Sequence, residues 1–261
     1  MSPKKYAPAG RCIYCGSDRY ASDGEPGNLH LEHIIPLALE GQLELPSASC
    51  RACERITGQL EQRVLRGSLH GIREHLGLKS REKEGRPATL PVFAVRAPGE
   101  KERRFDIPVK DYPTTLVLLH AREAGVFLPP GAEQGGTVWN YLATDIGVFL
   151  AKYGFHSLAN PALDTHSFMR MIGKIGHAFL SAELGWGNFS PTLPPMILGQ
   201  SQNFWEYIGG EPDSGPASEE LHEIALVSAR HHNGRSFYMV RLRLFARLGA
   251  PSFLIAAGEY G

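Results

Sequence analysis

Four cysteines stand in two x₂-spaced pairs, Cys12/Cys15 and Cys50/Cys53, and the chain has no others. Two such knuckles present four sulfurs to one metal, and thiolates at this spacing point to a tetrahedral Zn²⁺. A site closed by four sulfurs keeps no position for water, so this zinc would be structural. Between the pairs lie 34 residues, more than the roughly 15–20 of a plain zinc ribbon. Inside that stretch Glu32 and His33 set a carboxylate beside an imidazole, and Glu54 directly follows Cys53. Two carboxylates suit a hard cation such as Mg²⁺ or Mn²⁺, since Mg²⁺ takes oxygen ligands and keeps several waters. An imidazole titrates near neutrality and suits proton abstraction from water. A base, a cation and water are what phosphodiester hydrolysis requires.

The elements that must carry these residues follow from periodicity. Residues 28–36 read as a short strand, with Leu29, Leu31, His33 and Ile35 on one face and His30, Glu32 and Ile34 on the other. Pro36 lacks the N–H of a central strand and ends it, and Gly41 marks a turn. After Cys53 the apolar residues Ile56, Leu60 and Val64 recur every four positions, as in a helix that buries one stripe. The expected order is therefore knuckle, hairpin, knuckle, helix. His30, opposite His33, is expected at the surface. Glu61, seven residues after Glu54, shares its helix face and lies either beside the cation or in a pair with Arg63 or Arg66.

This arrangement resembles the HNH, or ββα-metal, endonucleases, and in particular their zinc-bearing branch of the endonuclease VII type. The resemblance covers residues 11–64 and rests on the two knuckles, Glu32-His33 and Glu54. It implies that Cys12, Cys15, Cys50 and Cys53 bind structural zinc, that Glu32 and Glu54 hold one catalytic Mg²⁺ or Mn²⁺, and that His33 activates the attacking water. It also implies a nucleic-acid substrate, DNA ahead of RNA; a role in phage defence would follow from analogy alone. Three positions depart from the usual pattern. The acidic member, usually Asp, is Glu32; the helix-start ligand, usually Asn or His, is Glu54. Ser47 stands where many of these sequences have an Asn that steadies the hairpin.

The rest of the chain reads as α+β, so the expected organisation is an HNH finger at 1–78, a charged linker at 79–89 and a larger α+β domain at 90–261. Strands are expected at Leu90–Val95, Arg104–Val109, Thr115–Leu119, His222–Ser228, Ser236–Ala246 and Ser252–Ala257, with turns at Pro98-Gly99 and Asn233-Gly234. A helix is expected from Phe168 to Leu184, stopped by Gly185. His166, Arg170, Lys174 and His177 form a basic stripe on it, read as a solvated face or a phosphate-contacting one. Trp186, Trp205 and Tyr207 read as core or loop anchors.

With 27 basic and 27 acidic residues the formal net charge is zero, which argues against a general DNA coat and leaves room for a local patch. Arg51, Arg55, Arg63 and Arg66, continuing through Arg73, Lys79, Arg81, Lys83 and Arg86, are candidates for it. The first residues lack the apolar core of a secretory signal and no stretch is long enough to span a bilayer, so the expected setting is the reducing cytoplasm, without membrane contact. Possible partners of the larger region are another protein or a second copy of the chain. The alternative to a nuclease is a non-catalytic zinc-finger adaptor or nucleic-acid sensor with a degenerate HNH site. Glu32, His33 and Glu54 discriminate the two, because only the nuclease needs all three within reach of one metal and one water.

Overall fold

The computed structural model describes residues 3–20, 29–78, 87–159 and 163–260. The finger comprises β1 (Lys4–Lys5), β2 (His30–His33), β3 (Leu43–Ser49), α1 (Arg51–Arg66) and α2 (His70–His75). A smaller lobe follows with β4 (Thr89–Val95), β5 (Arg103–Pro108), β6 (Thr115–Ala121), β7 (Gly136–Leu142), α3 (Ile146–Tyr153) and β8 (Ser157–Leu158). The C-terminal part holds α4 (Thr165–Leu184), β9 (Ser190–Pro191), α5 (Pro194–Ile197), α6 (Phe204–Tyr207), β10 (Ile208–Gly210), β11 (His222–His232), β12 (Arg235–Leu244) and β13 (Phe253–Glu259).

The class is α+β, as expected. In the finger β2 pairs antiparallel with β3, whose other edge takes β1 in parallel. The main sheet runs β10-β13-β12-β11, all antiparallel, with β9 on the end of β13. Two small sheets, β5-β4-β8 and β6-β7, complete the described strands. The expected turns carry the hairpins: Asn233 and Gly234 both take positive φ between β11 and β12, the conformation a two-residue hairpin loop requires. β12 stops short of Ala246 because Phe245 turns left-handed at φ 58 and leads into a 3₁₀ turn.

The finger is not packed on its own. One hydrophobic core joins Cys12, Ile13, Ile34, Leu45 and Val64 of the finger to Phe168, Ile172 and Ile175 of α4 and to Val240, Leu242 and Phe253 of the main sheet. α4 is the shared wall: it is buried almost all round from Ser167 to Ser181. Asp164 caps its first turn by accepting from the Ser167 N–H, and Gly185 ends it at φ 81. No described helix is long and apolar enough to cross a membrane.

Candidate functional site

The first knuckle closes where the Gly16 N–H donates to the Cys12 carbonyl at 2.8 Å, with Gly16 at φ 77 and Trp186 packed over it. The second is built into a helix start: Cys50 is the N-cap of α1, its thiol makes no capping bond, and Cys53 lies in the first turn. The four sulfurs all lie within 4.8 Å of one another, and Cys15 Sγ is 3.6 Å from Cys50 Sγ. That is near the ~3.8 Å edge of a tetrahedron with Zn–S bonds of about 2.3 Å and far from the ~2.05 Å of a disulfide. Without a metal the thiols share protons. The bond from Cys53 pulls Cys12 down to about 5, while burial pushes Cys15 up to about 11 and the same shared bond raises Cys53. The donor set and spacing are compatible with a structural zinc.

Glu32 is not on the face that regular alternation assigns to it. The β2–β3 register shifts between His30 and Glu32, so Leu31 turns out to solvent at 42% exposure and Glu32 turns in at 7%. A bulge of this kind breaks the two-residue period. Its counter-charge comes from α4: Lys174 Nζ lies 2.5 Å from Glu32 Oε1 and 2.8 Å from Glu61 Oε1. The same ammonium reaches the carbonyl oxygens of His33 at 2.5 Å and Ile34 at 3.3 Å. Lys174 is wholly buried; burial alone would lower its pKa, but Glu32 and Glu61 more than offset that and keep it charged. Burial raises the Glu32 carboxyl, and Lys174 opposes the shift. Tyr14 brings a buried phenol to the same cluster, its pKa raised by burial and by the two carboxylates. Glu61 thus pairs with Lys174, and neither Arg63 nor Arg66 is its partner in this pair.

The other expected site residues sit elsewhere on the finger. Glu54 accepts from the Tyr20 hydroxyl at 2.8 Å and meets His30 Nδ1 at 2.9 Å, and the Tyr20 and His30 rings stack at 4.1 Å. This trio is at the surface, as expected for His30. His33 ends β2 opposite Glu44 of β3, with Nδ1 4.0 Å from Glu44 Oε1. That separation is too long for a hydrogen bond. A single Mg²⁺ or Mn²⁺ shared by Glu32 and Glu54 does not fit this arrangement. An ammonium already holds the first carboxylate in the interior, and a histidine and a tyrosine hold the second outside.

No protein-family model, curated protein or solved structure matches the chain. The residues therefore speak for themselves. Arg51, Arg55, Arg63 and Arg66 are exposed along one side of α1. Arg73 leaves the proposed patch: its guanidinium is buried and donates to the carbonyls of Ala38 at 2.9 Å and Leu65 at 3.1 Å. Lys79, Arg81, Lys83 and Arg86 lie outside the described residues. Three of the four residues in the stripe on α4 are engaged within the fold, while His166 is half-buried against Phe204. Lys174 closes on the finger, His177 Nε2 meets the Ile13 carbonyl at 2.6 Å, and Arg170 donates to the Ile197 carbonyl at 2.7 Å. Spacing offered Glu61 as a neighbour of a cation beside Glu32, but gave no sign that the cation would be Lys174.

Proposed function

We propose that the chain is an HNH-type endonuclease acting on DNA, with His33 as the general base and the four cysteines holding a structural Zn²⁺. The observation that carries this reading is the finger itself. A cysteine cluster ties a β2–β3 hairpin to the start of α1, and His33 stands at the hairpin's end with its Nδ1 4.0 Å from Glu44 Oε1. In this reading His33 takes a proton from water, the hydroxide attacks phosphorus, and the P–O3′ bond breaks, the departing oxygen taking a proton from solvent and leaving a 5′-phosphate. The exposed arginines of α1 supply phosphate contacts. Dependence on Mg²⁺ or Mn²⁺ belongs to the proposal and would rest on Glu54, which is 42% exposed, and not on Glu32.

A second reading has a specific observation in its favour. Because Glu32 is buried under Lys174, a non-catalytic zinc module that only presents a binding surface is also consistent with the cluster. One experiment separates the two. Wild type and His33→Ala, both shown to carry one zinc, are incubated with plasmid and single-stranded DNA in Mg²⁺ or Mn²⁺. Cutting by the wild type that drops at least 100-fold in the variant supports the nuclease. Equal cutting by both removes His33 as the base, and none by either leaves the binding module.

A further inference from the structure

Four oxygens surround the Lys174 ammonium within 3.3 Å: Glu32 Oε1, Glu61 Oε1 and the carbonyls of His33 and Ile34. An ammonium has three N–H groups to give, so acceptors outnumber donors. Two carboxylates face one positive charge, and the Tyr14 phenol is buried beside them, against Glu32. Oxygen donors in excess, two of them anionic, are what a hard divalent cation takes. The side chain that fills the space comes from the middle of α4, outside the finger.

We propose that Lys174 is the resident cation of this oxygen cage, standing where a divalent ion would otherwise sit, so that the native chain excludes Mg²⁺ and Mn²⁺ from Glu32 and truncating Lys174 opens the cage to one ion. The burial of Glu32 follows from this: its carboxylate leaves water because a tethered cation meets it inside. The retention of Glu61 on the buried side of α1 follows as well, because the cage needs both anions. The inference stands on the geometry of the cage and holds whether or not the chain cleaves DNA.

The test counts bound metal and requires no activity. Zinc-loaded wild type, Lys174→Ala, Glu61→Gln and the Lys174→Ala/Glu61→Gln double variant are titrated with Mn²⁺, and free Mn²⁺ is followed by electron paramagnetic resonance. The expected result is one more Mn²⁺ per chain in Lys174→Ala than in wild type, lost again in the double variant. Any Mn²⁺ taken by the wild type should be indifferent to Glu61→Gln. Wild-type binding that weakens in Glu61→Gln would overturn the proposal, because the ion would then be entering the closed cage. So would a folded Lys174→Ala that gains no site. Should Lys174→Ala be poorly folded, its melting is followed instead. At about 100 times the dissociation constant, Mn²⁺ should raise its Tm by roughly 5–10 °C and leave the wild type nearly unmoved. A Lys174→Ala chain that Mn²⁺ does not rescue counts against the cage.

Discussion

Ser47 shows how a single position can carry information that its type conceals. It sits in β3 at φ 49, a left-handed backbone that Asn tolerates better than most side chains. The resemblance expects Asn there for its reach; the backbone supplies a second reason. Ser47→Asn should therefore stabilise the chain by about 0.5–1 kcal/mol, raising Tm by roughly 1–4 °C in thermal melts; a lower Tm would show the backbone to be unstrained. Glu32 makes the opposite point. Its type and its neighbour His33 were legible as chemistry, but its partner was not, because Lys174 is over 140 residues away in the chain. Lys174→Met leaves the buried Glu32 and the half-buried Glu61 without their cation and should cost about 3–5 kcal/mol, read as a loss of denaturation midpoint. Glu54→Ala, which removes only a surface partner of Tyr20 and His30, should cost under about 1 kcal/mol.

Strands and helices were legible where periodicity was long or a turn was explicit. β4, β5, β11, β12, β13 and α4 fall where alternation, Asn233-Gly234 and Gly185 put them. β7 and α3 were missed: β7 is exposed along most of its length, and its pattern carries no buried face to read. The stripe on α4 was misread for a related reason. Polar residues at helical spacing usually face water, and nothing local reveals that a finger's backbone carbonyls will cover them. α1 divides more simply, with Leu60 and Val64 inward and Arg51, Arg55, Arg63 and Arg66 outward. On the proposed function, Arg55→Ala with Arg63→Ala should weaken binding evenly across DNA sequences. The slope of log affinity against log salt should fall by about 2. A fluorescence-anisotropy titration at several salt concentrations checks this, and an unchanged slope would take α1 off the DNA.

Across the molecule, three side chains of the C-terminal part grip carbonyls of the finger: Lys174 on His33, His177 on Ile13, and His222 on Leu39 at 2.7 Å. The two histidines are pushed down to about 4, chiefly by burial, with those carbonyls opposing the shift. Their folded values lie below the ordinary ~6.5, so the unfolded chain binds the extra protons between these limits. The stability they contribute is complete above pH ~6.5 and is lost as pH falls towards 4, at most about 3 kcal/mol for each. Glu32, whose carboxyl burial raises, works in the other direction at the acid end. Melting temperatures should be level above pH ~7 and fall steadily below ~6; a profile flat to pH 4.5 would mean that the two histidines are not held neutral in the folded chain. Because the finger shares one core with α4 and the main sheet, stripping zinc should lower a single cooperative transition and not melt the finger separately, which calorimetry with and without chelator can decide.

The distance in sequence between His33 and Lys174, 141 positions, also sets an order of events during synthesis. At roughly 5–20 residues per second, Glu61, the later of the two carboxylates, is joined to the chain about 6–23 s before Lys174. For that interval the thiols can already collect zinc while Glu32 and Glu61 lie open to whatever cation is at hand. The two carboxylates are thus made well before the ammonium that answers them, and the cage can close only once α4 has followed.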